Sequence, residues 1–528
     1  MRGIRFHRSM TDIAIVLDCG ATNASAVAVD AAGNILRAAS RPNAPSPQLM
    51  PEADSPRRAD GERGWLIWDL DQVWGKLCDA CHEVCSAIDG SAIKAVAVTT
   101  FGADGAPVRA DGSLTYPVIS WQCERTRPMA QRLLAEIDAR EIFAETGYQM
   151  FPFNTLLRFM WLRENAPRAL EEAACWLMTP GLLSHRLCGE FSIDPTIGST
   201  TMVMALRKRD WSERMLRLAD LDASFFPRWK EPGEVIGTLL RSAAEQTGLP
   251  QGIPVVAAGH DTQFAIAGAG AGEGEAVLSS GTWEILSFRA NDFRPTAASF
   301  EHGLICECDA QPGFWNPQML MMGSAVLEWV RRHFFTSARG EEAYAQMVRE
   351  AQAVPPGASG VTLVPSFVPD AGPTRRHGIP GALLGLTLTT QPGQIYRAAL
   401  EGLSFQLRQA LEILSNCTGF RARKVRVVGG GSKNAMWNQL RADALNRPVV
   451  AIGQQEATSL GAALFALVGA GVFRSFAETL ESVDFAETVF EPSPDADRYD
   501  ELYQRYFTVP QALAAIPDLP PPGPVGSG

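Results

Sequence analysis

Two segments of this chain are written to the same plan, and that repetition limits the fold more than any other feature. IAIVLDCGATNASAVAVDAAGNIL begins at Ile13 and EAVLSSGTWEILSFRA begins at Glu275. Each reads as an apolar strand, a tight turn at glycine (Gly20, Gly281) and a second strand. After the first come a helical stripe from Val73, the apolar strand Ile93 to Thr99 and helical patterns over 127–145 and 154–187. After the second come helices at 323–335, 341–353 and 392–416, then strand, glycine turn and helix in KVRVVGGGSKNAMWNQLRADAL, then the small-residue helix ATSLGAALFALVGAGV. Strands alternating with helices predict an α/β architecture. The repeated opening predicts a duplicated fold divided near residue 250, with halves over 12–250 and 251–490. Residues 1–11 read as a flexible leader, 41–64 as a long polar loop, and 491–528 as a helix followed by a disordered Pro/Gly tail.

At 528 residues, 46% hydrophobic and 20% charged, the composition is that of an ordinary globular protein. The 47 basic and 58 acidic residues leave a net charge of −11, which argues against nucleic-acid binding. Small anions remain open as ligands, because backbone amides and a metal hold them without net positive charge. No run approaches the roughly 20 apolar residues of a membrane span. Arg2, Arg5 and Arg8 before Ile13 to Leu17 mimic an export signal, but Asp12 and Asp18 bracket that run and it is too short. The ten scattered cysteines fit a reducing cytoplasm. Cys78, Cys81, His82 and Cys85 have a metal-like density, yet they continue the apolar stripe of Val73, Trp74, Leu77, Val84 and Ile88, so core packing is expected. Self-association is left open.

The chain has no G-x-x-x-x-G-K-[ST], no H-E-x-x-H, no G-x-S-x-G and no G-x-G-x-x-G, so a nucleotide would need another cradle. Three glycine turns offer one. In Asp18-Cys19-Gly20-Ala21-Thr22-Asn23, the glycine would let successive amides face a phosphate, Thr22 and Asn23 add donors, and Asp18 at the strand end could hold Mg²⁺ directly or through water; an ordinary β-hairpin turn is the alternative. Ser279-Ser280-Gly281-Thr282 repeats the arrangement. Gly429-Gly430-Gly431-Ser432, between strand and helix, would let a flat ring approach, with Asn434 beside it. Asp261, in Gly259-His260-Asp261 between a strand and a helix, is a candidate proton acceptor or simply a helix cap. His260, Asp104, Trp121, Arg125 and Asn154 are polar or aromatic candidates with ordinary structural alternatives.

The order DCGATN, TTFGADG, SWQCERT, AGHDTQ, SSGTWE, VVGGGSKNAMWNQLRADAL resembles the FGGY family of carbohydrate kinases from about Ile13 to Phe490. The Gly259-to-Leu286 block and YRAALEG add to the likeness. The resemblance implies two actin-like (ribonuclease H-like) domains flanking an ATP and sugar cleft, and ATP-dependent phosphorylation of a ketose at its primary hydroxyl. L-fuculose is the first candidate sugar, with L-rhamnulose or a pentulose as alternatives. It puts the catalytic base at Asp261, the metal at Asp18, ATP contacts at Thr22, Asn23, Gly281, Thr282, Gly430, Gly431 and Asn434, and sugar contacts at Asp104, Arg125, Asn154 and His260. Departures are the loop at 41–64, the leader, Gln122-Cys123-Glu124, and PSFVPDAGPTRRHGIPGALLGL, which resembles the broader family. A non-catalytic sensor of the same fold would need no base, and an ATP-driven chaperone would need a further domain after Phe490.

Overall fold

The computed structural model describes residues 11–48, 64–336, 340–368, 371–453 and 456–516. The expected leader up to residue 10, residues 49–63 of the expected loop, and the Pro/Gly tail beyond 516 lie outside the described residues.

Six strands form a first sheet: β1 (Ile13–Cys19), β2 (Asn23–Asp30), β3 (Ile35–Pro42), β4 (Ile93–Thr100), β5 (Val235–Thr238) and β6 (Pro254–Val256), ordered β5-β6-β4-β1-β2-β3. Seven form a second: β7 (Glu275–Ser280), β8 (Trp283–Phe288), β9 (Ile305–Cys308), β10 (Trp315–Met322), β11 (Lys424–Val428), β12 (Val449–Ile452) and β13 (Glu487–Phe490), ordered β9-β10-β8-β7-β11-β12-β13. The pairings match strand for strand. In the first sheet β1, β2 and β3 run antiparallel, β1, β4 and β6 run parallel, and β5 closes antiparallel on β6. In the second, β7, β8 and β10 are antiparallel, β7, β11 and β12 parallel, and β13 antiparallel on β12. The second sheet adds only the edge strand β9. The duplication expected from two turns extends to whole sheets.

One expectation moves. The strand at Pro254–Val256 was expected to open the second half, but it pairs parallel with β4 and completes the first sheet. A further strand, Cys175–Met178, interrupts the helical stretch expected over 154–187; its four residues are all buried, a pattern without an exposed helical face.

Strand β1 is buried on both faces, as a central strand of a covered sheet must be. Ile13, Ile15, Leu17 and Cys19 meet Trp74, Leu77, Cys78 and Cys81 of helix α1 (Leu70–Cys85). The cysteine stripe is therefore packed core, while His82 on the same helix is exposed. All ten cysteines are free thiols. Ala14 and Val16, pointing the other way, enter a cluster that includes Phe264 of helix α2 (Asp261–Gly268). In the second sheet, Ala276 and Leu278 meet Leu407, Leu411 and Leu414 of helix α3 (Pro392–Thr418), and helix α4 (Ala435–Leu445) follows β11. Helix α5 (Ala457–Gly469) follows β12, yet its Leu460 and Leu464 lie in the cluster of Ala14 and Val16. Val277 of the second sheet meets Ile266 of α2.

Helices α2 and α5 thus lie together between the sheets. Helix α5 follows a strand of the second sheet and packs on the first, while α2, which follows a strand of the first, turns Phe264 to that sheet and Ile266 to the second. The two helices cross at Gly268 and Gly461: a Cβ at Gly268 would collide with the Ala457 carbonyl, and one at Gly461 with the Phe264 carbonyl. The glycines bring the backbones together, and with them the first residues of α2. Among the described residues no helix is long and apolar enough to cross a membrane.

Candidate active site

Strand pairing gathers the acidic residues on one floor. Asp18, near the end of β1, lies in register with Thr99, whose Oγ1 donates to its carboxylate at 3.0 Å. Thr100 forms a parallel bridge to His260, and its N–H donates to the Gly259 carbonyl at 2.9 Å. Two strand spacings therefore separate Asp18 from the His260-Asp261 turn, on the order of 10 Å at the backbone. Their side chains interact. Burial first, then the Asp261 carboxylate, push Asp18 up to about 7, and Glu456 adds to the effect while Thr99 opposes it.

Asp261 is the first residue of α2, and His260 takes the N-cap position. The sequence had left Asp261 open as a cap; its place inside the first turn separates the two roles. Its Oδ1 accepts from Thr262 N–H at 2.6 Å and from Thr262 Oγ1 at 3.2 Å. No hydrogen bond reaches Oδ2 among the described residues, so one oxygen is left to accept a proton. Burial raises the Asp261 carboxyl, and the neighbouring His260 opposes that rise. Gly259 is required in this turn, because a Cβ there would collide with the Asp194 carboxylate. Asp194 accepts from the Thr196 hydroxyl, and that oxygen in turn accepts His260 N–H at 2.9 Å.

The first glycine turn is closed by Gly20 N–H donating to Asn23 O at 2.8 Å. It is pinned from outside by Asn43, whose Nδ2 donates to Gly20 O at 2.8 Å and whose N–H donates to Thr22 O at 2.8 Å. Thr22 and Asn23 remain exposed. The second turn is closed in kind, by Gly281 N–H to Trp283 O at 2.9 Å, with Thr282 and Trp283 exposed in the positions of Thr22 and Asn23. Beneath it, Ser280 Oγ donates to Glu284 at 2.6 Å and accepts from Arg441 at 2.8 Å, while Arg441 pairs with Glu284.

The third turn divides its glycines by function. A Cβ at Gly429 would lie 2.8 Å from the Ser280 carbonyl, and one at Gly431 would collide with Ser280 Oγ; at Gly430 nothing lies within 4 Å. Gly429 and Gly431 therefore let the turn approach β7, and only Gly430 opens to space. Asn434 caps α4 through Oδ1, which accepts from Trp437 N–H at 3.0 Å, while its Nδ2 donates to Tyr396 Oη at 3.2 Å.

Three of the four expected sugar contacts have their side chains committed elsewhere. Asp104 is fully buried and holds Trp68 Nε1 at 2.6 Å, Trp121 N–H at 3.0 Å and Arg158 at 2.6 Å. Burial lifts its carboxyl to about 6 against the pull of Arg158. Arg125 is buried between the rings of Trp65 and Trp161, 4.5 and 5.0 Å from their centroids, and donates to Tyr116 and Leu66 O. Asn154 is fully buried and accepts from Phe151 N–H at 3.0 Å. All three side chains are held by protein neighbours in this structure. Asp104 lies in the TTFGADG turn, and Asn154 connects to that turn through Thr200. Its Ala103 has φ +68°, a left-handed conformation costly for alanine, and the turn is held by Thr155, Arg158 and Thr200. That turn brings Gly102 against His260 Nε2, 3.1 Å from where a Cβ would stand. Of the four, His260 alone reaches the turn that carries Asp261. Trp121 is partly exposed and meets Phe153 edge-on at 6.2 Å.

Asn43, Thr99, Tyr148 and Glu307 also belong to this constellation and were not singled out by sequence. The signal was slight: a lone Asn in a polar loop, a Thr ending a strand, and two residues in ordinary apolar context.

Residues 13–268 match the N-terminal domain of the FGGY family of carbohydrate kinases and residues 276–470 match its C-terminal domain. The chain belongs to this family. It is a carbohydrate kinase, an ATP-dependent phosphotransferase acting on a small-molecule sugar. An L-fuculokinase of Escherichia coli K12 is 40% identical over 493 residues, covering 93% of this chain and 99% of that protein. A rhamnulokinase of Bacteroides thetaiotaomicron is 30% identical over 401 residues, covering 75% and 81%. The crystal structure of a ligand-bound xylulose kinase from Lactobacillus acidophilus superposes with a TM-score of 0.83 at 20% identity, covering 96% of this chain and 99% of that one. The FGGY kinase fold, two actin-like (ribonuclease H-like) domains, is the fold of this chain.

Proposed function

We propose that this kinase converts L-fuculose to L-fuculose 1-phosphate. The observation that carries the reading is the 40% identity to an L-fuculokinase across 93% of the chain, against 30% across 75% for a rhamnulokinase. In this reading the first half supplies the sugar side and one phosphate turn, and the second supplies the nucleotide side and the other turn. The Asp261 turn stands at the junction. Ten free thiols suit a cytoplasmic enzyme.

Asp261 accepts the proton of the sugar's primary hydroxyl through its free oxygen as that hydroxyl oxygen bonds to the γ-phosphorus. The bond from the γ-phosphorus to the bridging oxygen breaks, and ADP leaves with that oxygen. Phosphoryl transfer asks the protein for position and charge balance more than for covalent chemistry. Thr22 and Thr282 offer donors at the γ-phosphate from opposite sides, and Gly430 leaves open surface for adenine. Gly431 and Asn434 act as supports of that surface, since both are committed to protein neighbours. Asp18 fits a metal: its buried carboxylate is crowded by the carboxylates of Asp261 and Glu456, and a cation would offset that charge. Mg²⁺ held there, directly or through water, would neutralise phosphate charge. Lobe closure would exclude water from the site.

A coupled ADP-release assay across L-fuculose, L-rhamnulose, D-xylulose, L-ribulose and glycerol tests the substrate. L-fuculose is expected to give the highest kcat/KM; a clearly higher value for another sugar overturns the fuculose reading and leaves the kinase. Asp261→Asn tests the base. We expect folded protein, ATP affinity little changed, and kcat down at least about 10²-fold. Near-normal turnover would leave Asp261 a structural residue only.

A further inference from the structure

We propose that Glu307 is the positioning residue of the catalytic turn, acting through His260 on Asp261. Glu307 lies on β9, the edge strand that has no counterpart in the first sheet, and it is 1% exposed. Its Oε2 meets His260 Nδ1 at 2.7 Å and accepts Gln263 Nε2 at 2.6 Å, and its Oε1 accepts the Tyr148 hydroxyl. Gln263 is itself held by Asn316 from β10. With Nδ1 fixed, His260 Nε2 stands 3.4 Å from Asp261 Oδ1. That is the oxygen already held by Thr262, so the imidazole braces one side of the carboxylate and leaves the other for the acceptor hydroxyl.

Burying a carboxylate and an imidazole together is costly, and apolar residues of similar volume would hold two elements together at least as well. The pair is therefore poorly explained as a fastening. Charge supports the geometry. Burial opposes an imidazolium, yet the Glu307 charge and hydrogen bond outweigh it and carry His260 up to about 9, with Asp261 and Asp194 also favouring the cation. Glu307 in turn is held below the usual carboxylate range despite its burial, by His260, Tyr148 and Gln263. The anchor also spans the halves. Tyr148 belongs to the first, and β9 is tied to it by Cys306 N–H donating to Gly147 O at 2.9 Å and Cys308 N–H donating to Ser199 Oγ at 3.3 Å. The imidazole is aligned only when both halves are in place.

The proposal rests on Asp261 being the base, and the test separates the two. Steady-state kinetics are measured for Glu307→Gln, His260→Asn, the double variant and Asp261→Asn. Glu307→Gln is expected to lower kcat by about tenfold, less than the roughly 10²–10⁴ that the base itself contributes, with the KM for ATP little changed. In the His260→Asn background the same change should cost nothing further, because the path runs through the imidazole. Independent, multiplying losses would overturn the proposal, as would a normal kcat for Glu307→Gln beside an inactive Asp261→Asn. Full activity of Asp261→Asn would overturn the base reading and this proposal with it. Should Glu307→Gln fail to fold, Tyr148→Phe removes one anchor of the same carboxylate and takes its place in the cycle, with the same non-additivity expected.

Discussion

His260 carries a pH consequence that can be tested on a single residue. Its pKa rises from 6.5 to about 9 in the folded protein. A group whose folded pKa is raised contributes stability that is full below its unfolded value and is lost as pH climbs through the folded one. The His260–Glu307 pair should therefore stabilise fully below about pH 6.5 and lose that contribution up to about pH 9, a difference of about 3 kcal/mol. Thermal melts of the wild type and His260→Asn across pH 6 to 10 should show a gap that narrows as pH rises. A gap independent of pH would mean that no charged imidazole forms there. Asp104, Arg125 and Asn154 illustrate the opposite residue-scale outcome. Their polar groups are engaged by protein neighbours, and Asp104 and Asn154 help to hold a strained turn against His260.

At the scale of elements, the crossing of α2 and α5 sets where Asp261, the proposed base, stands. Ala457 and Gly461 of α5 lie against Gly268 and Phe264 of α2 with no room for a side chain between them. Gly461→Val would force the helices apart and displace the helix whose first residue is Asp261. Overpacking of this kind typically costs about 1–3 kcal/mol. We expect a lower melting temperature together with a lower kcat, while Gly471→Ala is expected to change neither kcat nor the crossing, although its φ of +74° brings local strain. A Gly461→Val variant with wild-type melting and kcat would show that the helices tolerate separation. The α1 stripe is a quieter case. Its cysteines follow the apolar period because a buried thiol is a small hydrophobe.

At the scale of the molecule, two sheets of one topology are joined by the crossed helices α2 and α5 and by the contacts of β9 with the first half. The proposed sugar side and nucleotide side are therefore mechanically connected. Binding at one should favour the arrangement that serves the other, and such coupling is reciprocal. Isothermal titration should give a lower Kd for L-fuculose with Mg²⁺ and a non-hydrolysable ATP analogue present, and the same factor for the analogue when the sugar is present. Equal affinities in both conditions would show that the halves bind independently.

The local chemistry of the glycine turns is written in the sequence, because a turn's backbone is dictated by residues within a few positions of one another. Gly20, Gly281 and the run at Gly429 announce themselves for that reason, as do the apolar strands before them and the family order of the motifs. The duplication follows from the same local pattern repeated. Pairing is not local. Nothing near Pro254 states that its strand joins β4, since that contact reaches back more than a hundred residues to Ile93–Thr100. Nor does spacing reveal which polar residues of a motif face the cleft. The family resemblance puts sugar contacts at both Asp104 and His260, and only tertiary packing buries one beneath Trp121 and brings the other to Asp261. Glu307 is the plainest instance: its partners Tyr148, His260 and Gln263 come from distant stretches of chain, so its role exists only once the fold has brought their donors around one buried carboxylate.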